Sequence, residues 1–190
     1  MTLEALFADA RERLATRAID EGVAKVAVDV MDSPLGPLWL AIGPNGVLAI
    51  HYGAGGYEGD LRRIVARYGP GVLRAPKRLD EVKRELEEYF AGRRTRFELS
   101  VDLSALTPFQ QRVLAATRRV PFGRVRSYRE IATGAGTPKA SRATGNALGA
   151  NPIPIIVPCH RVLGSDGSLH GYAGGLDRKR WLLKLEGYLH

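Results

Sequence analysis

The sequence predicts an α+β protein built in two parts, and three observations carry that reading. Strand and helix patterns alternate through the first hundred residues, capped helices dominate the last ninety, and the charge divides at the same place. Residues 1–100 hold 15 Lys+Arg and 15 Asp+Glu, whereas residues 101–190 hold 13 and 5, so the whole net charge of +8 lies in the second half. We expect an N-terminal α+β domain over 1–100 with a supporting role. The C-terminal domain, 101–190, is expected to meet a polyanion, because neutralising phosphates releases counterions and supplies affinity.

The composition excludes several classes. Hydrophobic residues make up 45% and charged residues 25%, an ordinary globular balance. No apolar window approaches the roughly 20 residues of a membrane span, so no membrane partner is expected. The opening TLEALFADARERLATRAI places Glu4, Asp9, Arg11, Glu12 and Arg13 where a secretory signal would be apolar. It reads as an amphipathic helix capped by Thr2. One cysteine among four histidines makes neither an internal disulfide nor a zinc cluster, so no metal or other cofactor is expected. These features together favour the cytoplasm.

The first half justifies its elements in order. Val26, Val28 and Val30 alternate, then LWLAI (38–42) and VLAIHY (47–52) follow, with SPLGP and GPNG supplying the turns of a meander. Helices are expected over 60–68, stopped by Gly69-Pro70, and over 79–91, where Leu79, Val82, Leu86 and Phe90 share a face and Gly92 caps. Residues 93–106 read as a linker.

In the second half, Thr107-Pro108-Phe109-Gln110 combines an N-cap threonine, proline at the first helical position and Gln at the third, predicting a helix to about Arg118. Ser127-Tyr128-Arg129-Glu130 is a second capping box, opening a short helix to about Thr133. After Gly134-Ala135-Gly136, Thr137-Pro138 is expected to cap and start a third helix. Two helices joined by a glycine-containing turn suggest a helix-turn-helix. The third helix is nearly without bulk, with Ala140, Ser141, Ala143, Thr144, Gly145 and Ala147 around the single long side chain of Arg142. Such a helix either packs tightly on a neighbour or enters a narrow groove, and the minor groove tolerates mainly small side chains.

The lone cysteine lies in NPIPIIVPCHRV. Two prolines and a β-branched run predict an extended, buried segment from Asn151 to Val157 that delivers Cys159, His160 and Arg161 to its end. A single cysteine is commonly an inert small hydrophobe. Here His160, Arg161 and the surrounding basic half are conditions that favour a thiolate. Neighbours in a strand face opposite ways, so a direct Cys159–His160 relay needs a bridging water or a turn. Glu186, at the end of the last helix, is a carboxylate able to orient the histidine.

These residues resemble the O6-alkylguanine-DNA alkyltransferases, also called methylated-DNA–protein-cysteine methyltransferases. TPFQQRVL, PFGRVRSYREIA, PKASRATGNALGANP, PCHRV and GYAGGLDRKRWLLKLEG carry the likeness over Thr107 to Gly187, while the first hundred residues are similar only loosely, through SPLG and the helix near Leu79–Phe90. The resemblance implies a ribonuclease H-like N-terminal domain followed by a winged helix-turn-helix domain. It implies DNA repair by irreversible, single-turnover transfer of an alkyl group, mainly methyl, from O6-alkylguanine, and from O4-alkylthymine as a further substrate, to Cys159. It further implies that His160 takes the thiol proton through water, Glu186 polarises His160, and Asn151 braces the turn. The same resemblance makes Arg142 the finger filling the gap left by the flipped base and has Tyr128 press on the target phosphate and donate toward guanine N3. Ser127, Ala140, Ser141 and Arg161 join them as DNA-binding residues, and Pro154, Val162, Tyr172 and Ala173 line the base pocket. The implied partner is duplex DNA bound through its minor groove by a protein monomeric in solution, with side-by-side binding left open. His170 departs from the pattern: it stands where human-like members have glycine, which bears on bulky adducts such as benzyl.

Two other readings use the same residues. A Cys-His-Glu thiol hydrolase leaves the basic helix pair unexplained. A non-enzymatic DNA-binding module leaves PCHR idle.

Overall fold

A computed structural model describes residues 3–189, so Thr2, expected to cap the first helix, lies outside the described residues. Two units are present. One runs from the start of the chain to Glu87 with Leu99–Ala105, and the other comprises Glu88–Glu98 and the chain from Leu106 onward.

The first unit is a four-stranded sheet with helices. After α1 (Leu3–Asp20), the strands β1 (Val26–Met31), β2 (Leu38–Gly43) and β3 (Gly46–Tyr52) form the meander that the alternating apolar residues predict. β1 and β2 pair antiparallel with Ala27 opposite Ile42 and Val30 opposite Trp39. β2 and β3 pair antiparallel through a register shift at Ala41/Ile42. Helix α2 (Glu58–Tyr68) returns the chain to β4 (Val72–Arg74), which pairs parallel to β1 and gives the order β3-β2-β1-β4. The sequence reading did not include β4, because three residues after a Gly-Pro-Gly turn leave no periodicity to detect. Val26, Trp39, Ala41, Leu48, Ala49 and Ile64 form the core, and Tyr57 stacks on Trp39 with ring centroids 4.6 Å apart.

Asp29 breaks the apolar alternation of β1, yet it is buried. Arg74 Nε donates to it at 2.8 Å and Lys83 Nζ at 2.5 Å, which satisfies the carboxylate. The expected linker is ordered: Val47 bridges Val101, and Asp102 accepts from Tyr68, from Asn45 at 3.2 Å and from the Ser104 amide at 2.8 Å. Burial raises the Asp102 pKa, but these donors outweigh it and hold the carboxyl at about 2.

Helix α3 (Asp80–Phe90) begins in the first unit, and its last turn, from Glu88, belongs to the second. Gly92, at φ 70°, ends it as predicted. In the second unit α4 (Pro108–Arg118) starts with the full reciprocal capping box of Thr107 and Gln110. Ser127 and Glu130 make the same device at α5 (Tyr128–Gly134). The third helix, α6 (Ser141–Gly149), begins later than predicted, with Ala140 at its N-cap. Thr137 does not cap it; its hydroxyl donates to Ala132 O at 3.3 Å, so Thr137 to Ala140 form the turn instead. Short strands β5 (Arg126–Ser127) and β6 (Val162–Leu163) pair in parallel, and α7 (Leu176–Leu185) closes the chain with Glu186 as its C-cap. No helix among the described residues is long and apolar enough to cross a membrane.

Candidate active site

Of the segment expected to be buried and extended, residues 153–157 are buried and Asn151 and Pro152 half-buried, but the chain is not extended. Asn151 folds it into a compact turn: its Oδ1 accepts from Ile153 N at 3.0 Å and its Nδ2 donates to Val157 O at 2.9 Å. Backbone bonds Ile156 N to Pro154 O and Val157 N to Ile153 O complete it. Ile155 takes φ 74° at its centre. A β-branched residue in that region stores about 1–3 kcal/mol of strain, held here by full burial. Cys159–Arg161 then form one 3-10 turn. That turn removes the strand alternation which set Cys159 and His160 on opposite faces.

Cys159 is 8% exposed, and its Sγ accepts a hydrogen bond from Asn151 Nδ2 at 3.2 Å. Asn151 therefore reaches the sulfur itself besides bracing the turn. His160 is fully buried, with Nε2 2.9 Å from Glu186 Oε1. Its Nδ1 is buried and meets no hydrogen-bonding partner among the described residues, which leaves one ring nitrogen able to take a proton. Glu186 also accepts from the Gly123 amide at 3.2 Å and from Tyr89 OH at 2.6 Å.

Arg161, expected among the DNA-binding residues, is instead buried at 5% exposure. Its Nε and NH2 donate to Glu186 at 2.9 and 2.8 Å, and NH1 donates to Val120 O at 2.6 Å. Its charge is spent on the carboxylate, because a buried guanidinium without a counter-charge is too costly.

The electrostatics also differ from the expectation that His160 and Arg161 activate the thiol. Burial pushes the Cys159 thiol up; the Asn151 N–H and the positive charge of Lys179 pull it down. Burial lowers the pKa of His160, opposed by Glu186, and the charges of Arg161 and Lys179 lower it further. Burial raises that of Glu186, but His160 and Arg161 hold it at about 2. Lys179 is 1% exposed and donates to Val162 O at 2.7 Å and His170 O at 3.2 Å. Burial holds its ammonium at about 8 despite the upward pull of Cys159. Sequence reasoning missed Lys179 and Tyr89. Lys179 sits in a run of charges, DRKR, that reads as solvated, and Tyr89 lies far from PCHR in the chain. The one signal was that Lys179 lies on the same helical face as Leu182 and Leu183, both buried.

Tyr128 and α6 lie together, since a Cβ on Gly145 would stand 3.7 Å from Tyr128 Cε1. Burial and the Cys159 charge both raise the Tyr128 pKa. Arg142, Ala143 and Asn146 are exposed along α6, Ala140 and Ser141 are half-buried, and Thr144, Ala147 and Leu148 pack inward. Ser127 Oγ accepts from Glu130 N at 3.2 Å as the α5 cap. Pro154 and Val162 are buried, Tyr172 is half-buried and Ala173 is exposed. His170 is exposed, with its ring 6.2 Å from that of Tyr128 and its Nε2 2.9 Å from Ser168 Oγ. Among the described residues no group of three or more His, Cys, Asp or Glu is placed to hold a metal ion.

Comparison with known proteins matches both parts of the chain. The ribonuclease-like domain of 6-O-methylguanine DNA methyltransferase matches residues 26–103, and the DNA binding domain of the same name matches residues 108–188. The methylated-DNA–protein-cysteine methyltransferase of Mycobacterium tuberculosis is 45% identical over 159 residues, 82% of this chain and 89% of its own. The chain belongs to the 6-O-methylguanine DNA methyltransferase family. The Salmonella typhimurium member is 40% identical over 173 residues, covering 83% of this chain and 93% of its own. The crystal structure of the M. tuberculosis O6-methylguanine methyltransferase superposes with a TM-score of 0.74 at 43% identity, covering 85% of this chain and 92% of that one. M. tuberculosis OGT in complex with DNA gives 0.72 at 41% identity, over 84% and 92%. The methyltransferase architecture is thus present in both its domains, ribonuclease-like then DNA-binding, and α1 precedes the first matched residue.

Proposed function

We propose that this protein repairs duplex DNA by moving an alkyl group, mainly methyl, from guanine O6 onto Cys159 in a single, irreversible turnover. The observation that carries the reading is the two hydrogen-bonded pairs Asn151–Cys159 and His160–Glu186, joined through the neighbouring residues Cys159 and His160 and set in the same unit as helices α4 to α6. An alkyl carbon on a stacked guanine is out of reach, so the nucleotide must rotate out of the helix, at a few kcal/mol that a damaged pair reduces. Arg142, on the exposed face of the small-residue helix, fills the gap from the minor-groove side. Tyr128 presses on the backbone, while Ser127, Ala140 and Ser141 lie along the DNA. Pro154, Val162, Tyr172 and Ala173 hold the flipped base.

The chemistry balances simply. The thiol proton passes through a water to His160 Nδ1, whose Nε2–H is held by Glu186. Sulfur attacks the alkyl carbon, the C–O bond breaks, and its electron pair goes to the guanine ring, which takes a proton at N3 from Tyr128; the Ala173 amide supports O6. The thioether offers no good leaving group, so each molecule acts once. We place this activity in the cytoplasm, with O4-alkylthymine as a further substrate and the protein monomeric in solution.

Duplex DNA radiolabelled on the O6-methyl group tests the proposal. Label is expected on the Cys159 peptide, limited to one per protein, and Cys159→Ala should bind DNA but transfer nothing. Continued demethylation by Cys159→Ala would refute it. Release of label into solution over repeated cycles would point to a hydrolase, and label retained on DNA to a binding module.

A further inference from the structure

We propose that Tyr89 is a positioning residue of this site: by donating to the carboxylate oxygen that His160 uses, its hydroxyl fixes Glu186 and sets how strongly His160 holds a proton. The inference rests on the alkyl-transfer reading for its consequence and on geometry for its substance. Tyr89 is completely buried at the end of α3. Its ring packs against those of Phe90, Phe97 and Phe122, at centroid distances of 5.6, 5.2 and 6.1 Å. The ring is thereby locked, and its hydroxyl lies 2.6 Å from Glu186 Oε1.

That oxygen is crowded. It also faces His160 Nε2 at 2.9 Å and Arg161 NH2 at 2.8 Å, while Oε2 takes Arg161 Nε at 2.9 Å and the Gly123 amide at 3.2 Å. The other ionisable groups bearing on His160 are Lys179, from α7, and Cys159 beside it. Each donor draws electron density from the carboxylate and so weakens its hold on the imidazolium. Tyr89 donates to the carboxylate without carrying a charge. Removing its hydroxyl changes the hydrogen bonding without removing a charge. The result is a more basic His160 and a less fixed carboxylate.

A buried tyrosine that merely finds a convenient acceptor predicts otherwise, because phenylalanine fills the same space. The test is Tyr89→Phe, read in two ways. The His160 ring is titrated by NMR in the DNA-free protein, and its pKa is expected to rise by about 0.5–1 pH unit. Single-turnover transfer from O6-methylguanine duplex is followed across the same range, and its acid limb should move up with the ring. Fluorotyrosine at position 89, which keeps the shape and donates more strongly, should move both the opposite way. An unmoved His160 titration overturns the proposal, as does a uniform loss of rate at every pH with a lowered melting temperature. If the wild type moves no label, the alkyl-transfer reading fails, yet the NMR titration still decides the role of Tyr89.

Discussion

Replacing Lys179 by methionine probes the electrostatics of the site directly. Burial holds the ammonium at about 8 against an ordinary 10.5. At about 1.4 kcal/mol per pH unit, that difference is about 3.5 kcal/mol of destabilisation carried by the folded protein near neutral pH. The unfolded chain binds this proton more tightly than the folded one, so the penalty is full below pH 8 and is relieved as pH rises toward 10.5. Methionine matches the stem and abolishes the penalty, but it strips a donor from Val162 O and His170 O. Each carbonyl that loses this donor costs about 1–3 kcal/mol. The terms oppose each other, so the variant should unfold within about 2–3 kcal/mol of wild type at pH 7, and the gain in stability between pH 8 and 10.5 should vanish.

Reactivity should not be preserved. The charge of Lys179 lowers the Cys159 thiol, and its removal is expected to slow transfer about tenfold or more at pH 7. Urea unfolding at pH 7 and 9.5, run beside single-turnover transfer, reads both quantities. A variant that transfers at the wild-type rate but loses several kcal/mol of stability would falsify this account, leaving Lys179 a structural brace.

Three further outcomes are expected. Glu186 is held at about 2 against 4.5, so it contributes stability that is present above pH 4.5 and lost as pH falls toward 2. Glu186→Gln should flatten that acid limb in thermal melts and cost about 3–5 kcal/mol at pH 7 by stranding Arg161. Asn151→Ala removes the donor on Sγ and both anchors of the turn; transfer should fall at least about tenfold and stability by about 1–3 kcal/mol, checked by rate and melting temperature. Arg142→Ala, at an exposed position, should weaken duplex binding, reduce the slope of log affinity against log salt by about one, and leave DNA-free alkylation of Cys159 by iodoacetamide unchanged.

What could be read from the chain was what local chemistry dictates. Both capping boxes, the β1–β3 meander and the ends of α4 and α5 follow from residues within four positions of each other, and they stand where they were expected. The start of α6 failed because Thr137-Pro138 resembles a cap and first turn, while Ala132 O, five residues back at the end of α5, takes the hydroxyl. The segment before Cys159 failed for a related reason: Ile and Val favour strands, but Asn151 supplies two bonds that curl the backbone, and no propensity records a side chain's partners. Lys179, Arg161 and Tyr89 were hidden more deeply. Charged and hydroxyl side chains are read as surface by default, and only packing shows which are enclosed.

Their enclosure explains why one thiol needs so much support. Taking sulfur out of water disfavours the anion, and nothing in a proline-flanked turn reverses that. Arg161 cannot help, since Glu186 neutralises it at 2.8 Å, and His160 is kept from charging by the same burial that surrounds it. The interior is then left with Lys179 as its uncompensated cation, and a thiolate formed beside it completes a neutral set. Alkylation would remove that anion again and return the ammonium to an unpaired state, so the partial offset that Lys179 gives against burial lasts only while the sulfur is unreacted. A site charged in this way is suited to firing once, and its cost is carried by one lysine whose enclosure only the leucines on its own helical face foreshadow.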